Sequence, residues 1–176
     1  MKILITYSTS QGATQSIAER IQERIDASNI GDTTLLPISK NISLEAFDVI
    51  IIGSALHVGS WLSPASKFVK TNTRFLQDNP KPTWAFSVGM PEPGAAEEAE
   101  EKRVEKWLRK SIALRGHKLF QGMWNREKLG FLFRCIFSCF GGKYEDRRNW
   151  EVIDEWVDGI VRELRIDQQS TVPPGN

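Results

Sequence analysis

Short apolar runs alternate with longer amphipathic stretches along almost the whole chain. Lys2–Tyr7 is apolar with β-branched residues and reads as a buried strand. From Thr14 onward, Ile17, Ala18, Ile21 and Ile25 recur at three- and four-residue steps, the mark of one helix face. Thr33–Ile38 is a second, weaker strand. Asp48–Ile52 is apolar without alternation, as in a parallel strand covered on both faces. A loop and a helix follow, with Ala65, Phe68 and Val69 turned inward. Thr83–Val88 is the fourth strand, and an acidic-to-basic helix from about Ala95 to Ala113 buries Val104, Trp107, Leu108 and Ile112. His117–Met123 is the fifth strand. The last helix, from about Trp150 to Leu164, carries the stripe Val152, Ile153, Trp156, Val157, Ile160, Val161 and Leu164.

This β-α-β order predicts the α/β class: a doubly wound parallel sheet of five strands with helices on both faces. A chain of 176 residues suits one such domain, expected over 1–166, with a tail at 167–176 that frays around Pro173-Pro174-Gly175. One stretch breaks the rhythm. Asn125–Asn149 stands where a short turn would serve, and a connection of that length is usually functional.

Composition narrows the chemistry. The net charge of +1 offers no global field for nucleic acid, so none is expected as a partner. Cys135 and Cys139 are too few for a disulfide framework, and His57 and His117 lie far from them, so no metal cluster is expected. The amino-terminal run turns polar too early for a signal peptide, and the expected compartment is the cytoplasm.

In open parallel sheets ligands sit beyond the carboxyl ends of the strands. The loop after the first strand reads Ser8-Thr9-Ser10-Gln11-Gly12-Ala13-Thr14. Hydroxyls and free N–H groups at a helix start can hold a phosphate without a cation, and Gly12 allows a tight turn close to the anion. The same residues could also be plain loop and cap chemistry. Several other phosphate chemistries are excluded. There is no Gly-x-Gly-x-x-Gly and no P-loop lysine motif. No acidic pair follows the first strand, as a receiver domain needs. The loop also lacks the cysteine and arginine of a small phosphatase.

Tyr7–Thr14 resembles the phosphate loop of the flavodoxins, FMN-binding proteins with strand order 2-1-3-4-5. The resemblance implies that Thr9, Ser10, Gln11, Gly12, Ala13 and Thr14 hold the FMN phosphate; Gln11 and Ala13 stand where threonine and asparagine are usual. Gly53–Gly59 lies where flavodoxins place their first loop against the flavin ring, which implies ring contacts from Ala55, Leu56, His57, Val58 and Gly59. There His57 takes the place of the usual stacking aromatic, and Val58 that of a glycine. Ser87, Val88, Gly89 and Met90 would form the second flavin loop, with Trp124 or the insert as cover. The whole of about 1–165 is similar to the menaquinone-dependent protoporphyrinogen dehydrogenases and their flavodoxin-domain relatives, down to Gly141-Gly142, Asp146, Arg147 and Trp150 before the last helix.

Three function classes follow from this. One is an FMN oxidoreductase with a small-molecule or quinone acceptor. A second is an electron carrier serving a redox partner protein, and a third is a flavin-free interaction domain. In the first two the flavin does the chemistry, so no catalytic side chain is expected. The insert segment 129–140 is strongly apolar with basic flanks and too short to span a bilayer. It reads either as an interfacial helix at the inner face of the cell membrane, or as a helix packed on the domain or on a second copy in a homodimer. His57 reads equally as a flavin stacker or an ordinary loop histidine. Trp61 reads as a pocket wall or, slightly better, as an anchor for the following helix. His117 reads as a strand-edge residue with no role. The cysteine pair, four residues apart, fits two buried hydrophobes better than a redox couple.

Overall fold

In the computed structural model, which describes residues 1–39, 42–123 and 145–170, the first apolar run forms an interior strand of the sheet, β1 (Lys2–Ser8). It pairs in parallel with β2 (Asp32–Pro37) on one side and β3 (Val49–His57) on the other. β3 then pairs with a later strand, Thr83–Gly89, and that strand with the edge strand Gly116–Gln121, again in parallel. A two-residue strand between them, β4 (Ser60–Trp61), folds back antiparallel on the end of β3. The later strands are therefore β5 and β6, and the order is β2-β1-β3-β5-β6. Setting β4 aside, this is the 2-1-3-4-5 order expected.

Both faces of the sheet are covered, which is why its strands lack a polar alternation. Ile3, Ile5, Ile51, Trp84 and Phe86 pack under α1 (Ala13–Ala27) and α4 (Trp150–Ser170). Leu4, Ile50, Ile52 and Ala85 pack under α2 (Ser63–Asp78) and α3 (Ala95–Ser111). The two layers are thus set by the residue parity of each strand. A clamp of ion pairs joins α1 to α4: Arg20 to Asp154 at 2.6 Å and Arg24 to Asp158 at 2.8 Å. The open edge of β6 is blunted by Glu101, whose Oε1 accepts the Leu119 N–H at 2.8 Å.

Two boundaries and one burial differ from the sequence expectation. β3 runs on to His57, because Ser54 stays in the strand and its Oγ accepts the Leu62 N–H at 3.1 Å. Trp107 is only partly buried, capping the core from its rim. α4 reaches Ser170, into the segment expected as tail, with Arg165 donating to Ser28 O at 3.1 Å and Gln168 to Ile30 O at 3.2 Å. The apolar stretch 129–140, its cysteines and Trp124 lie outside the described residues. Among the described residues no helix is long and apolar enough to cross a membrane.

Candidate functional site

The loop between β1 and α1 is folded by a contact three residues long. Thr9 Oγ1 accepts the Gly12 N–H at 2.9 Å, which curls the chain back before the helix. Gly12 then sits at φ 92°, a left-handed conformation that costs a glycine little. α1 starts with no side-chain cap and no acidic residue in its first turn, so the positive end of the helix dipole is uncompensated from within. Thr14 is fully buried in that turn, and its Oγ1 has no hydrogen-bond partner. A buried hydroxyl left unpaired costs on the order of 1–3 kcal/mol. Uncapped N–H groups, a helix dipole and an unpaired hydroxyl therefore gather at the start of α1, all of a kind that favours an anion. Ser10 is exposed, Thr9 and Gln11 are half-buried, and Ala13 is buried.

The second predicted loop is a hairpin. Leu56 pairs with Trp61 and His57 with Ser60, leaving Val58 and Gly59 as a two-residue turn. Their φ angles are +48° and +67°, the pattern of a type I′ turn, which ordinarily carries Asn-Gly. A β-branched residue there is strained, by about 1–3 kcal/mol. The Val58 side chain is 91% exposed, so nothing it touches compensates. The Arg103 guanidinium of α3 lies against the bare Cα of Gly59 and donates to its carbonyl at 3.1 Å. His57 is exposed, Leu56 partly buried and Ala55 buried.

Two glycines draw these loops together. A Cβ placed on Gly89 would lie 3.2 Å from Leu56 Cδ1. One placed on Gly122 would lie 3.1 Å from Val88 Cγ1 and 3.8 Å from Ala13 Cβ. Gly122 also donates its N–H to Gly89 O at 2.7 Å. The ends of β1, β3, β5 and β6 thus converge on one rim, and nearly all the expected site residues stand on it. Ser87 differs from the others. It is fully buried, and its Oγ is engaged by Trp61 Nε1 at 2.7 Å and His117 Nε2 at 2.8 Å. Met90, half-buried, follows Gly89 at the rim.

Two residues of the site escaped the sequence reading. Arg148 packs behind the start of α1, donating to Ser16 Oγ at 2.7 Å while Asp146 holds its other edge at 2.5 Å. The Arg148 hydrogen bond in turn keeps the Asp146 carboxyl below its usual pKa. His117 was expected to be idle, yet it is hydrogen-bonded and buried enough that its pKa falls to about 4. Neither was legible because both partners are more than twenty residues away. Trp61 proves to be an anchor: it is 5% exposed and packs edge-on against Trp107 at 5.7 Å. Finally, Met123 and Asp146 form an antiparallel bridge, and Arg147 N–H donates to Gly122 O at 3.0 Å. The described residues on the two sides of 124–144 therefore meet at this same rim.

Comparison with known proteins bears on the fold and the family. Solved structures share the fold at low identity. A flavodoxin from the domain Archaea is 17% identical over 94% of this chain and 99% of its own, with a TM-score of 0.57. A WrbA-like flavodoxin from Agrobacterium tumefaciens is 14% identical over 93% and 97%, with a TM-score of 0.60. Rubredoxin oxygen:oxidoreductase from Desulfovibrio gigas is 15% identical over 94% of this chain but 36% of its own, with a TM-score of 0.61. No curated protein matches the sequence. A family model described as a flavodoxin domain matches residues 4–142, most of the chain, so the chain belongs to the flavodoxin domain family, whose cofactor is FMN.

Proposed function

We propose that this chain is an FMN-dependent oxidoreductase of the quinone-linked protoporphyrinogen dehydrogenase type, working at the inner face of the cell membrane. In this reading Thr9, Ser10, Gln11, Gly12, Ala13 and Thr14 hold the phosphate. The N–H groups of the uncapped first turn of α1 and the Thr14 hydroxyl, which has no partner in the protein, would be the donors for its oxygens. Ala55, Leu56, His57, Val58 and Gly59 flank the ring on one side, and Ser87, Val88, Gly89 and Met90 on the other. Ser87 contributes main chain only, since its hydroxyl is committed to Trp61 and His117. Arg148 adds no free charge, being neutralised by Asp146, and serves to fix the first turn of α1. When bound, FMN supplies the redox chemistry, taking electrons from a reduced substrate and passing them to an acceptor.

The observation that carries the enzyme reading over a simple carrier is the Met123–Asp146 bridge. The residues flanking the long apolar insert meet at the rim that, in this reading, carries the flavin loops, where a lipophilic acceptor would have to arrive. A carrier for a soluble partner has no use for such a segment.

The test is an anaerobic visible spectrum of the FMN-loaded protein. Bands that bleach with protoporphyrinogen and recover with a soluble menaquinone analogue are expected. Deletion of residues 129–140 should leave FMN binding intact and abolish the quinone step. Bands indifferent to both reagents, but responsive to a flavoprotein reductase, would assign the electron carrier instead.

A further inference from the structure

Trp61, Ser87 and His117 come from three different strands, β4, β5 and β6, and their polar atoms form one chain. Trp61 Nε1 lies 2.7 Å from Ser87 Oγ, which lies 2.8 Å from His117 Nε2. The direction of the chain follows from the donors. An indole N–H can only donate, so Ser87 Oγ accepts it. The serine then has one proton to give, and a neutral imidazole protonated on Nδ1 takes it at Nε2. The other tautomer would strand both the serine proton and the Nδ1 lone pair. The first strands only the buried Nδ1–H, which has no protein partner. Burial holds the imidazole in its neutral form; Lys118 and Arg109 push the same way, and Glu105 opposes them.

The position of this chain matters because the hairpin above it is weakly built. Only two residue pairs join β4 to β3. An isolated two-stranded ribbon is marginal in water. Its turn is strained at Val58, and the Arg103 hydrogen bond at its tip is exposed. Beside the Leu62 N–H to Ser54 Oγ, its buried side-chain attachments are those of Trp61: the ring against Trp107 and the N–H to Ser87.

We propose that His117 is a positioning residue for the flavin-facing hairpin: by accepting the Ser87 hydroxyl it orients that hydroxyl toward Trp61, and Trp61 locks Ala55–Gly59 in place. This inference rests on the assignment of that hairpin to the flavin ring. Its consequence is that a histidine on the far strand, with no cofactor contact of its own, sets FMN affinity.

Three variants test it. His117→Leu removes the acceptor, His117→Gln keeps one, and Trp61→Phe removes the indole N–H while keeping a ring. FMN affinity is read by flavin fluorescence, and exchange of the Trp61 indole N–H is read by NMR on the FMN-free protein. His117→Leu and Trp61→Phe should each weaken FMN about tenfold, the loss of one buried hydrogen bond. His117→Leu should also speed indole exchange, and His117→Gln should restore both readouts to within about threefold of wild type. Wild-type FMN affinity in both His117→Leu and Trp61→Phe would overturn the proposal. So would equal weakening by leucine and glutamine, since shape rather than the accepted proton would then decide. If His117→Leu does not fold, Trp61→Phe decides by the same titration. A wild-type protein that takes up no FMN would sink the underlying assignment, and this proposal with it, before any variant is compared.

Discussion

The two loops that face the rim are held in opposite ways. The phosphate loop folds on itself: Thr9 closes it onto Gly12 across three residues, and the helix that follows supplies its donors. The hairpin depends on remote supports: Ser87 is 26 residues from Trp61, and Arg103 is 44 from Gly59. The phosphate loop also keeps unsatisfied donors, while the hairpin keeps a strained backbone. One is therefore specified by local chemistry and the other by tertiary context. In the first loop stability and affinity should part, as at Thr14, where removing an unpaired donor favours the fold and weakens the ligand, whereas loss of a support of the second should lower stability and affinity together.

The largest effect is expected at Gly12. Replacement by valine forces a β-branched residue to φ 92° and puts a side chain where the anion must approach. FMN affinity should fall more than about a hundredfold, with the circular dichroism spectrum unchanged. Retained affinity would mean that the phosphate binds elsewhere.

Next is a pH effect on the hairpin side. His117 titrates near 4 in the folded protein and near 6.5 unfolded. Between those values the unfolded chain binds the proton and the folded one does not. The stability that neutral His117 contributes is thus complete above about pH 6.5 and is lost as the pH falls toward 4. The loss should be about 2 kcal/mol, read as the difference between urea unfolding at pH 7 and pH 4.5. His117→Gln should show less of it. An identical pH slope in the variant would contradict the assignment.

Thr14→Val sharpens the contrast on the phosphate side. It removes an unpaired buried hydroxyl at nearly constant shape. The FMN-free protein should gain up to about 1 kcal/mol while FMN binding weakens about tenfold. A loss of stability would show that the hydroxyl already has a partner.

The smallest effect is expected at Val58. Val58→Asn suits the type I′ turn and should stabilise the protein by about 1 kcal/mol, seen as a rise in Tm. An unchanged or lower Tm would mean that the turn is not strained as described.

This same division decided what the sequence could reveal. The main strands, four helices and their order were legible because each apolar run or stripe signals its own element. The phosphate loop was legible because its glycine, its hydroxyls and the helix start are contiguous. The two-residue strand β4 is too short to carry a periodicity, and the turn before it holds Val58 where a hairpin signal would be asparagine. His117 looked idle because its meaning depends on Ser87 in a neighbouring strand, and Arg148 because its partner is Ser16 at the other end of the chain. Such pairs exist only after the sheet has closed.

The most direct measurement for the account as a whole is a titration of FMN into the purified chain, followed by flavin fluorescence. One FMN bound per chain, with the binding abolished in Gly12→Val, is the predicted result. A flat titration, or binding that Gly12→Val leaves untouched, would contradict the site described here.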